Sequence, residues 1–260
     1  MQNPFEQGEQ LCTAAGRQSP GILQLDVMIV VETSKDSVQL LLPLIREHHL
    51  LHGRIVSEME KRGLKEGQVH LSLSLCFYKD LGMDMDAIRM CSVTESEKVQ
   101  QYASALSENT ARMQSGLEAL YCAMCSRSRQ KQSFRAQYIL VYAVSPVYPL
   151  ENPMNRIDPE YPLLLERNVL PYSPGIPKSL EELKQLWLHP GETGLDPFHS
   201  FLVVHALPSE IWTGVGQWNR AAFQAAGSVR ELCQAWSAMP AELAERVAAD
   251  LRFRPDGGRL

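Results

Sequence analysis

The chain has 260 residues, of which 45% are hydrophobic and 21% are charged. These are values of an ordinary packed protein, and they exclude a collagen-like, coiled-coil or intrinsically disordered chain. The 25 Lys and Arg residues are outnumbered by 30 Asp and Glu residues, for a formal net charge of -5, so no overall positive field is available to hold a phosphate backbone and we expect no nucleic-acid partner.

The first part of the chain alternates between strand-like and helix-like patterns. The continuous apolar run over 25–31 is typical of a strand buried on both faces, as in a parallel sheet. Apolar residues then recur with helical spacing over 38–62, and Pro43 predicts a kink there. Strict alternation over 68–80 predicts a strand with one apolar face, and a shorter strand is predicted over 87–93.

The middle of the chain continues this alternation. Thr94 and Glu97 have the spacing of a capping box, which predicts a helix that extends to about residue 107. A second helix is predicted over 110–127, because its apolar residues fall on one helical face. The continuous apolar run over 138–144 then predicts another buried strand.

A proline-rich stretch interrupts the pattern. Residues 146–197 hold 10 of the 16 prolines of the chain, so these 52 residues cannot form a regular crossover between two strands. We predict an insertion wrapped on the surface, with one helix over 179–188. A further strand is predicted over 198–207, followed by helices over 209–226 and 229–251.

The order of these elements predicts the fold class. Strands that alternate with helices are typical of an α/β protein, here a doubly wound and mostly parallel central sheet flanked by helices. We predict a polar leader over 1–22, a single α/β domain over 23–251 that contains the proline-rich insertion, and a polar tail over 252–260.

Two further features concern the cellular location. No apolar run approaches the ~20 residues that a membrane-spanning helix needs, and the first 19 residues lack the pattern of a secretory signal. The six cysteines are too sparse and too irregularly spaced for a disulfide framework. We therefore predict a cytoplasmic protein with reduced thiols and no membrane partner.

Polar residues follow three of the predicted strands and precede one predicted helix. In chain order they are Glu32 with Ser34 and Asp36, the segment Phe77-Tyr78-Lys79-Asp80, Thr110 before Gly116-Leu117-Glu118-Ala119-Leu120, and Ser145. In this order they resemble the motifs of the von Willebrand factor A domain family, over about residues 25–207. In that family the turn after the first strand is the metal-ion-dependent adhesion site, with the pattern Asp-x-Ser/Thr-x-Ser. The resemblance implies a von Willebrand A or Rossmann type of fold.

The chain departs from the family pattern at most of these positions. Glu32 replaces the first Asp, Asp36 replaces the second hydroxyl residue, Lys35 replaces the usual Gly, and Ser145 replaces the last Asp. Since Mg²⁺ tolerates little distortion of its octahedron, the resemblance implies an eroded site that binds Mg²⁺ or Mn²⁺ weakly or not at all. If a cation is retained, its ligands are Glu32, Ser34, Asp36 and Thr110. Alternatively, the first three of these residues simply cap the following helix.

Other motifs give no catalytic set. The sequence contains no Gly-x-Ser-x-Gly elbow, no Walker A motif, and no Gly-x-Gly-x-x-Gly after the first strand. His48 and His52 have the i, i+4 spacing of a two-histidine metal site, but no third ligand is indicated. Cys122 and Cys125 lie within an apolar helical pattern without a second cysteine pair, so a zinc site is not expected.

These observations favour a binding function over catalysis. We expect a non-catalytic protein-protein interaction module, a scaffold or adaptor subunit of an intracellular multi-subunit complex, which docks another protein through its strand-end loops or its insertion. The candidate site residues are Glu32, Ser34, Asp36, Asp80, Thr110 and Ser145. The alternative is a metal-dependent enzyme such as a hydrolase, with Glu32, Asp36, Asp80 and a histidine such as His205 around a cation. A third possibility is an unrelated Rossmann-like domain, in which residues 27–31 are not a central strand.

Overall fold

The computed structural model describes residues 23–65, 67–82, 85–106, 113–126, 135–150, 160–189 and 200–252. The strands in these residues are β1 (Leu23–Glu32), β2 (Val69–Tyr78), β3 (Ile88–Ser92), β4 (Arg135–Ala143), β5 (Phe201–Ala206) and β6 (Ala221–Ala225). The helices are α1 (Val38–Lys61), α2 (Ser96–Ser104), α3 (Gly116–Cys125), α4 (Tyr161–Val169), α5 (Leu180–Leu188), α6 (Glu210–Val215) and α7 (Val229–Arg252).

All these strands belong to one sheet with the order β3-β2-β1-β4-β5-β6. β3 runs antiparallel to β2, and the other neighbouring strands are parallel. The same strand order occurs in doubly wound dinucleotide-binding folds. β1 is central, because Val27 is paired with Leu73 on one side and with Tyr138 on the other. The predicted α/β class, with a mostly parallel central sheet, is confirmed and is consistent with a von Willebrand A or Rossmann type of fold.

Helices cover both faces of the sheet. Along β1, Val27, Ile29 and Val31 belong to a core with α1, α2 and α7, whereas Met28 and Val30 belong to a second core with α3, α4, α5 and α6. Both sets of side chains are at most 5% exposed. This explains the continuous apolar run over 27–31, since successive side chains of that segment lie against the helical layers on the two faces of the sheet.

The predicted helix over 209–226 is wrong in its second half. α6 ends at Val215, and Ala221–Ala225 forms the edge strand β6, paired in parallel with β5. Two glycines near the end of α6 weaken the helix, and Arg220 has a positive φ of 60° directly before the strand. Pairing with β5 therefore overrides the helical preference of the alanine-rich segment.

The proline-rich insertion is more structured and more buried than the sequence indicates. It contributes two helices, α4 and α5, where the sequence predicts one. Val169 and Leu183 are 0% exposed and belong to the core on the α3 face. The expectation of a stretch that is only wrapped on the surface is therefore wrong, because these helices pack against α3 as part of the helical layer.

The start of α2 also differs from the prediction. Its N-cap residue is Glu95, without a side-chain cap hydrogen bond, and the Thr94 hydroxyl lies 2.9 Å from the Ser92 hydroxyl. Because Thr94 is engaged in the preceding turn, the predicted capping box with Glu97 does not form. The predicted helix over 110–127 is described only from residue 113 onward, and α3 begins at Gly116.

Two observations concern the cysteines and the helices of the described residues. In the described part of the chain the cysteines are free, and Cys76, Cys91 and Cys122 are buried. None of the helices that the structure describes has both the length and the apolar character required to span a bilayer.

Candidate functional site

The candidate site lies at the carboxyl ends of the parallel strands. β1 ends at Glu32, β2 ends at Tyr78, and β4 ends at Ala143, directly before Val144 and Ser145. Because these neighbouring strands are parallel, their ends meet at the same edge of the sheet, which is where ligands bind in doubly wound folds.

The carboxylate of Glu32 is enclosed by four protein donors. Its Oε1 accepts hydrogen bonds from the hydroxyls of Ser34 and Ser145, each at 2.6 Å. Its Oε2 accepts the backbone N–H groups of Val144 and Ser145, each at 2.8 Å. A carboxylate offers about four lone-pair positions, so the protein itself occupies them. We call this arrangement, formed by Glu32, Ser34, Val144 and Ser145, the carboxylate clasp.

The clasp is supported by the turn that follows β1. The Ser37 hydroxyl donates to the backbone oxygen of Glu32 at 2.7 Å and accepts the N–H of Ser34 at 2.9 Å. Ser37 is the N-cap residue of α1, and its side chain makes no cap hydrogen bond with that helix. The interpretation of Glu32, Ser34 and Asp36 as a simple helix cap therefore does not describe this turn, whose side chains connect β1 with β4.

The remaining predicted ligands lie apart from the clasp or outside the description. Lys35 and Asp36 are exposed on the turn. Asp80 is buried, and its Oδ1 accepts the N–H of Gly82 at 2.9 Å. Thr110 lies outside the described residues, so its role as a ligand stays a prediction. Within the described ranges, no group of three or more His, Cys, Asp or Glu side chains is placed to hold a metal ion.

His205 lies on the other face of the sheet. Its ring is stacked on Tyr142, with ring centroids 4.8 Å apart, and Tyr142 belongs to the core shared with α1 and α7. Glu32 has the same alternation along β1 as Met28 and Val30, which face α3. Burial lowers the pKa of His205 to about 4, so the ring is neutral at pH 7. The alternative in which His205 and Glu32 converge around one cation is therefore wrong.

A buried acid that sequence reasoning did not select lies near this edge. Glu118, in the first turn of α3, is 1% exposed, and its Oε1 accepts the Tyr161 hydroxyl at 3.1 Å. Burial, reinforced by the nearby Asp80 carboxylate, raises the pKa of Glu118 to about 7. The available signal was a lone acidic residue within the apolar segment 116–125.

Gly116, the first residue of α3, is closely packed against side chains at this edge of the sheet. A Cβ at Gly116 would lie 2.7 Å from Val147, 2.8 Å from the Trp212 ring and 3.2 Å from the Tyr78 ring. The Tyr78 hydroxyl, the Trp212 ring N–H and the Gln114 amide are buried and have no hydrogen-bond partner among the described residues. The edge therefore combines the closed clasp with a tightly packed aromatic layer under α3.

Comparisons with known proteins give fold similarities only. No protein-family model matches this chain, and no curated protein matches it. The crystal structure of the pilus adhesin SpaC from Lactobacillus rhamnosus GG is similar at 8% identity with a TM-score of 0.49; the match covers 89% of this chain and 31% of the adhesin chain. The TFIIH p34 N-terminal domain is similar at 10% identity with a TM-score of 0.43, over 84% of this chain and 98% of that domain. At these values neither similarity assigns a family to this chain.

Proposed function

We propose that this chain is a non-catalytic protein-protein interaction module that serves as a scaffold or adaptor subunit of an intracellular multi-subunit complex. Its partner docks on the proline-rich insertion, and docking requires no divalent cation. Of the two docking regions expected from the sequence, the strand-end loops and the insertion, we infer that the insertion is the one that the partner contacts.

The observation that carries the proposal is a set of three exposed apolar side chains in and beside the first helix of the insertion. We call it the insertion surface and define it by Met85, Leu163 and Leu170, which are 62%, 65% and 44% exposed. Leu163 lies on α4, and Leu170 is the C-cap residue of that helix, seven positions further along the chain. Because exposed apolar patches mark binding surfaces on soluble proteins, we assign these three side chains to one docking surface.

Two contacts attach the loop that carries Met85 to α4. The Asn168 side-chain amide donates to the backbone oxygen of Met85 at 3.2 Å. The Arg167 guanidinium lies 3.1 Å from the Asp86 carboxylate. The loop around Met85 is thereby attached to α4, and an ion pair accompanies the apolar side chains, which is the mixture of contacts typical of a protein interface.

The carboxylate clasp supports the cation-independent part of the proposal. Each Glu32 oxygen already accepts two hydrogen bonds from protein groups. A cation bound to Glu32 would have to break the hydrogen bonds that the Ser34 and Ser145 hydroxyls donate to this carboxylate. Breaking them costs free energy, and a carboxylate without protein donors would not have this cost.

The test is affinity capture with the full chain, followed by a binding titration with the purified partner. We expect the wild-type chain to bind one protein stoichiometrically, equally in Mg²⁺ and in EDTA. The variant Leu163→Asp/Leu170→Asp should weaken that binding at least about tenfold, because it places two charges in an apolar contact.

The matched control is Leu50→Asp, since Leu50 is 51% exposed on α1, on the opposite face of the sheet. It should bind like the wild type. Equal binding by the insertion variant would refute the docking surface. Loss of binding in EDTA would refute cation independence, and the absence of any partner at stoichiometric amounts would refute the interaction function.

A further inference from the structure

A cavity lies between α7 and the strands β4, β5 and β6, on the face of the sheet opposite α3. Its volume is about 80 Å³, and Met239 and Leu243 of α7 form part of its roof. Across the middle of its floor, the paired residues Leu140, Val203 and Ala222 decrease in size toward the edge of the sheet. The small side chain of Ala222 therefore leaves space under α7 that a larger residue would fill.

A row of polar side chains lies at the carboxyl end of this floor. Tyr142, His205 and Gln224 are paired residues of β4, β5 and β6, so their side chains lie side by side on one face of the sheet. His205 and Gln224 line the cavity. Tyr142 and His205 are 0% and 3% exposed, whereas Gln224 is exposed at the mouth.

The two buried members of this row have no protein partner for their polar atoms. Among the described residues, neither the Tyr142 hydroxyl nor the His205 ring nitrogens form a hydrogen bond. Because burial lowers the pKa of His205 to about 4, the ring is neutral at pH 7 and offers one donor and one acceptor nitrogen. A buried polar group without a partner costs free energy, which a ligand that completes its hydrogen bonds recovers.

Two opposite charges of α7 face the same cavity. Glu242 and Arg246 both line it, and they are about 6 Å apart along the helix. The Arg246 guanidinium lies 3.3 Å from the centroid of the Phe201 ring. Glu242 lies near Tyr142, where burial and then the Glu242 carboxylate raise the pKa of the Tyr142 hydroxyl. Within the described ranges neither charged side chain forms an ion pair or a hydrogen bond, although their spacing of four residues would permit a pair.

We propose that this cavity binds a small zwitterion, an unbranched amino acid whose ammonium group lies at His205 and Glu242 and whose carboxylate lies at Arg246. The ammonium group donates to the acceptor nitrogen of His205 and to the Glu242 carboxylate, and the Arg246 guanidinium donates to the ligand carboxylate. The methylene groups between the two charges pack on Val203 and Ala222. The volume of about 80 Å³ limits the ligand to a few carbon atoms.

The test is isothermal titration calorimetry of the full chain with glycine, β-alanine, γ-aminobutyrate and δ-aminovalerate. We expect at least one of these amino acids to bind with a Kd of roughly 0.05–5 mM, a range suited to a ligand of so few atoms. The amine and the carboxylate of the same chain length each leave one charge of α7 without a counter-ion. Each should therefore bind at least about tenfold more weakly than the amino acid.

Two variants test the cavity and its positive end. Ala222→Leu fills the cavity and should weaken binding at least about tenfold, while the Tm of the free chain should not fall, because filling a cavity adds apolar contacts. Arg246→Gln removes the guanidinium and should reduce the affinity for the amino acid to that for the matching amine.

A third variant keeps the result independent of any packing defect in the leucine variant. Glu242→Gln changes an exposed side chain and should weaken binding at least about tenfold. Its matched control is Glu245→Gln, an exposed carboxylate of α7 that does not line the cavity and should bind like the wild type. Absence of binding by every amino acid of the series at about 20 mM, or equal binding by the wild type and Glu242→Gln, would each overturn the proposal.

This inference goes beyond the proposed function and does not depend on it. The insertion surface lies beside β3, whose outer edge is capped by the insertion: the Ile88 N–H donates to Asn168 Oδ1 at 2.9 Å and the Met90 N–H to the Tyr172 hydroxyl at 3.3 Å. The cavity lies at the other end of the sheet and on its other face. Variants of the insertion surface should therefore bind the amino acid normally, and Ala222→Leu should still bind the partner protein.

Discussion

Glu32 connects two strands that are distant in the sequence. Its carboxylate, 0% exposed, receives donors from its own turn and from residues 144–145, 112 and 113 positions away. A buried ionised group is tolerated only when it is hydrogen-bonded, and here the four short bonds supply that compensation. The side chain that the family pattern associates with metal binding thus has a clear structural role.

Replacement of this carboxylate should be strongly destabilising. In Glu32→Gln, an amide nitrogen, which cannot accept hydrogen bonds, replaces one carboxylate oxygen. Two of the four buried donors are then left without an acceptor. We expect a loss of about 2–4 kcal/mol in the free energy of unfolding, measured by urea titration. The matched control Asp36→Asn changes an exposed carboxylate of the same turn and should change that free energy by less than about 0.5 kcal/mol. Similar losses in both variants would contradict the clasp.

Glu118 should make the stability depend on pH. Its pKa is raised to about 7 in the folded state, from an ordinary value of 4.5. The unfolded chain therefore releases this proton at lower pH than the folded chain, and stability decreases as the pH rises from about 4.5 to about 7. Glu118→Gln should remove this decrease and raise stability at pH 8 by up to about 3 kcal/mol, measured by denaturant titrations across this range. An unchanged slope in the variant would contradict a buried neutral acid.

The sequence could predict part of this site. The order of motifs placed Glu32, Ser34 and Ser145 at one edge, and the structure brings these three side chains into contact. Asp36 could not be excluded in advance, because its exposure depends on how Ser37 closes the turn. Glu118 was not recognised, because its local signal is a single acidic residue within an apolar segment, and its burial depends on packing of the insertion over α3.

Two glycines within helices, Gly116 and Gly53, allow the effect of an added methyl group on stability to be compared. A Cβ at Gly116 in α3 would lie within 3.0 Å of both Val147 and Trp212, whereas a Cβ at Gly53 in α1 would meet nothing within 4 Å. Gly116→Ala should therefore destabilise the protein by about 1–3 kcal/mol through overpacking.

Gly53→Ala should have the opposite sign, with a gain of about 0.5–1 kcal/mol from helix propensity alone. Thermal unfolding of both variants measures the difference. A stabilised Gly116→Ala variant would show that the layer formed by Val147, Trp212 and Tyr78 yields easily, contrary to the close packing described above.

Strands and helices with a clear hydrophobic pattern in the sequence were predicted more accurately than those without one. β1, predicted over 25–31, spans 23–32, and β2, predicted over 68–80, spans 69–78. β6 was predicted as helix because Ala221, Ala222 and Ala225 favour helices, and only pairing with β5 decides otherwise. α4 was missed because prolines surround it, although Pro162 is favourable in the first turn of a helix.

The whole molecule should be insensitive to divalent cations. Because protein donors occupy the Glu32 carboxylate, about 5 mM Mg²⁺ should change the Tm by less than about 1 °C relative to EDTA, since a ligand that does not bind the folded state cannot stabilise it. Differential scanning calorimetry provides the measurement, with Mn²⁺ as a second cation. A rise of several degrees that disappears in Ser34→Ala would instead show a retained metal site.

The capped edge of the sheet has a consequence for synthesis of the chain. Asn168 and Tyr172, which cap β3, follow Ile88 and Met90 by 80 and 82 residues. At roughly 5–20 residues per second, a ribosome needs on the order of 4–16 s to make that interval. During this time β3 can emerge with its outer donors uncapped, so the nascent protein passes through a stage in which it is open to strand pairing. Chaperones that shield extended segments should therefore act on the chain before the insertion has been translated.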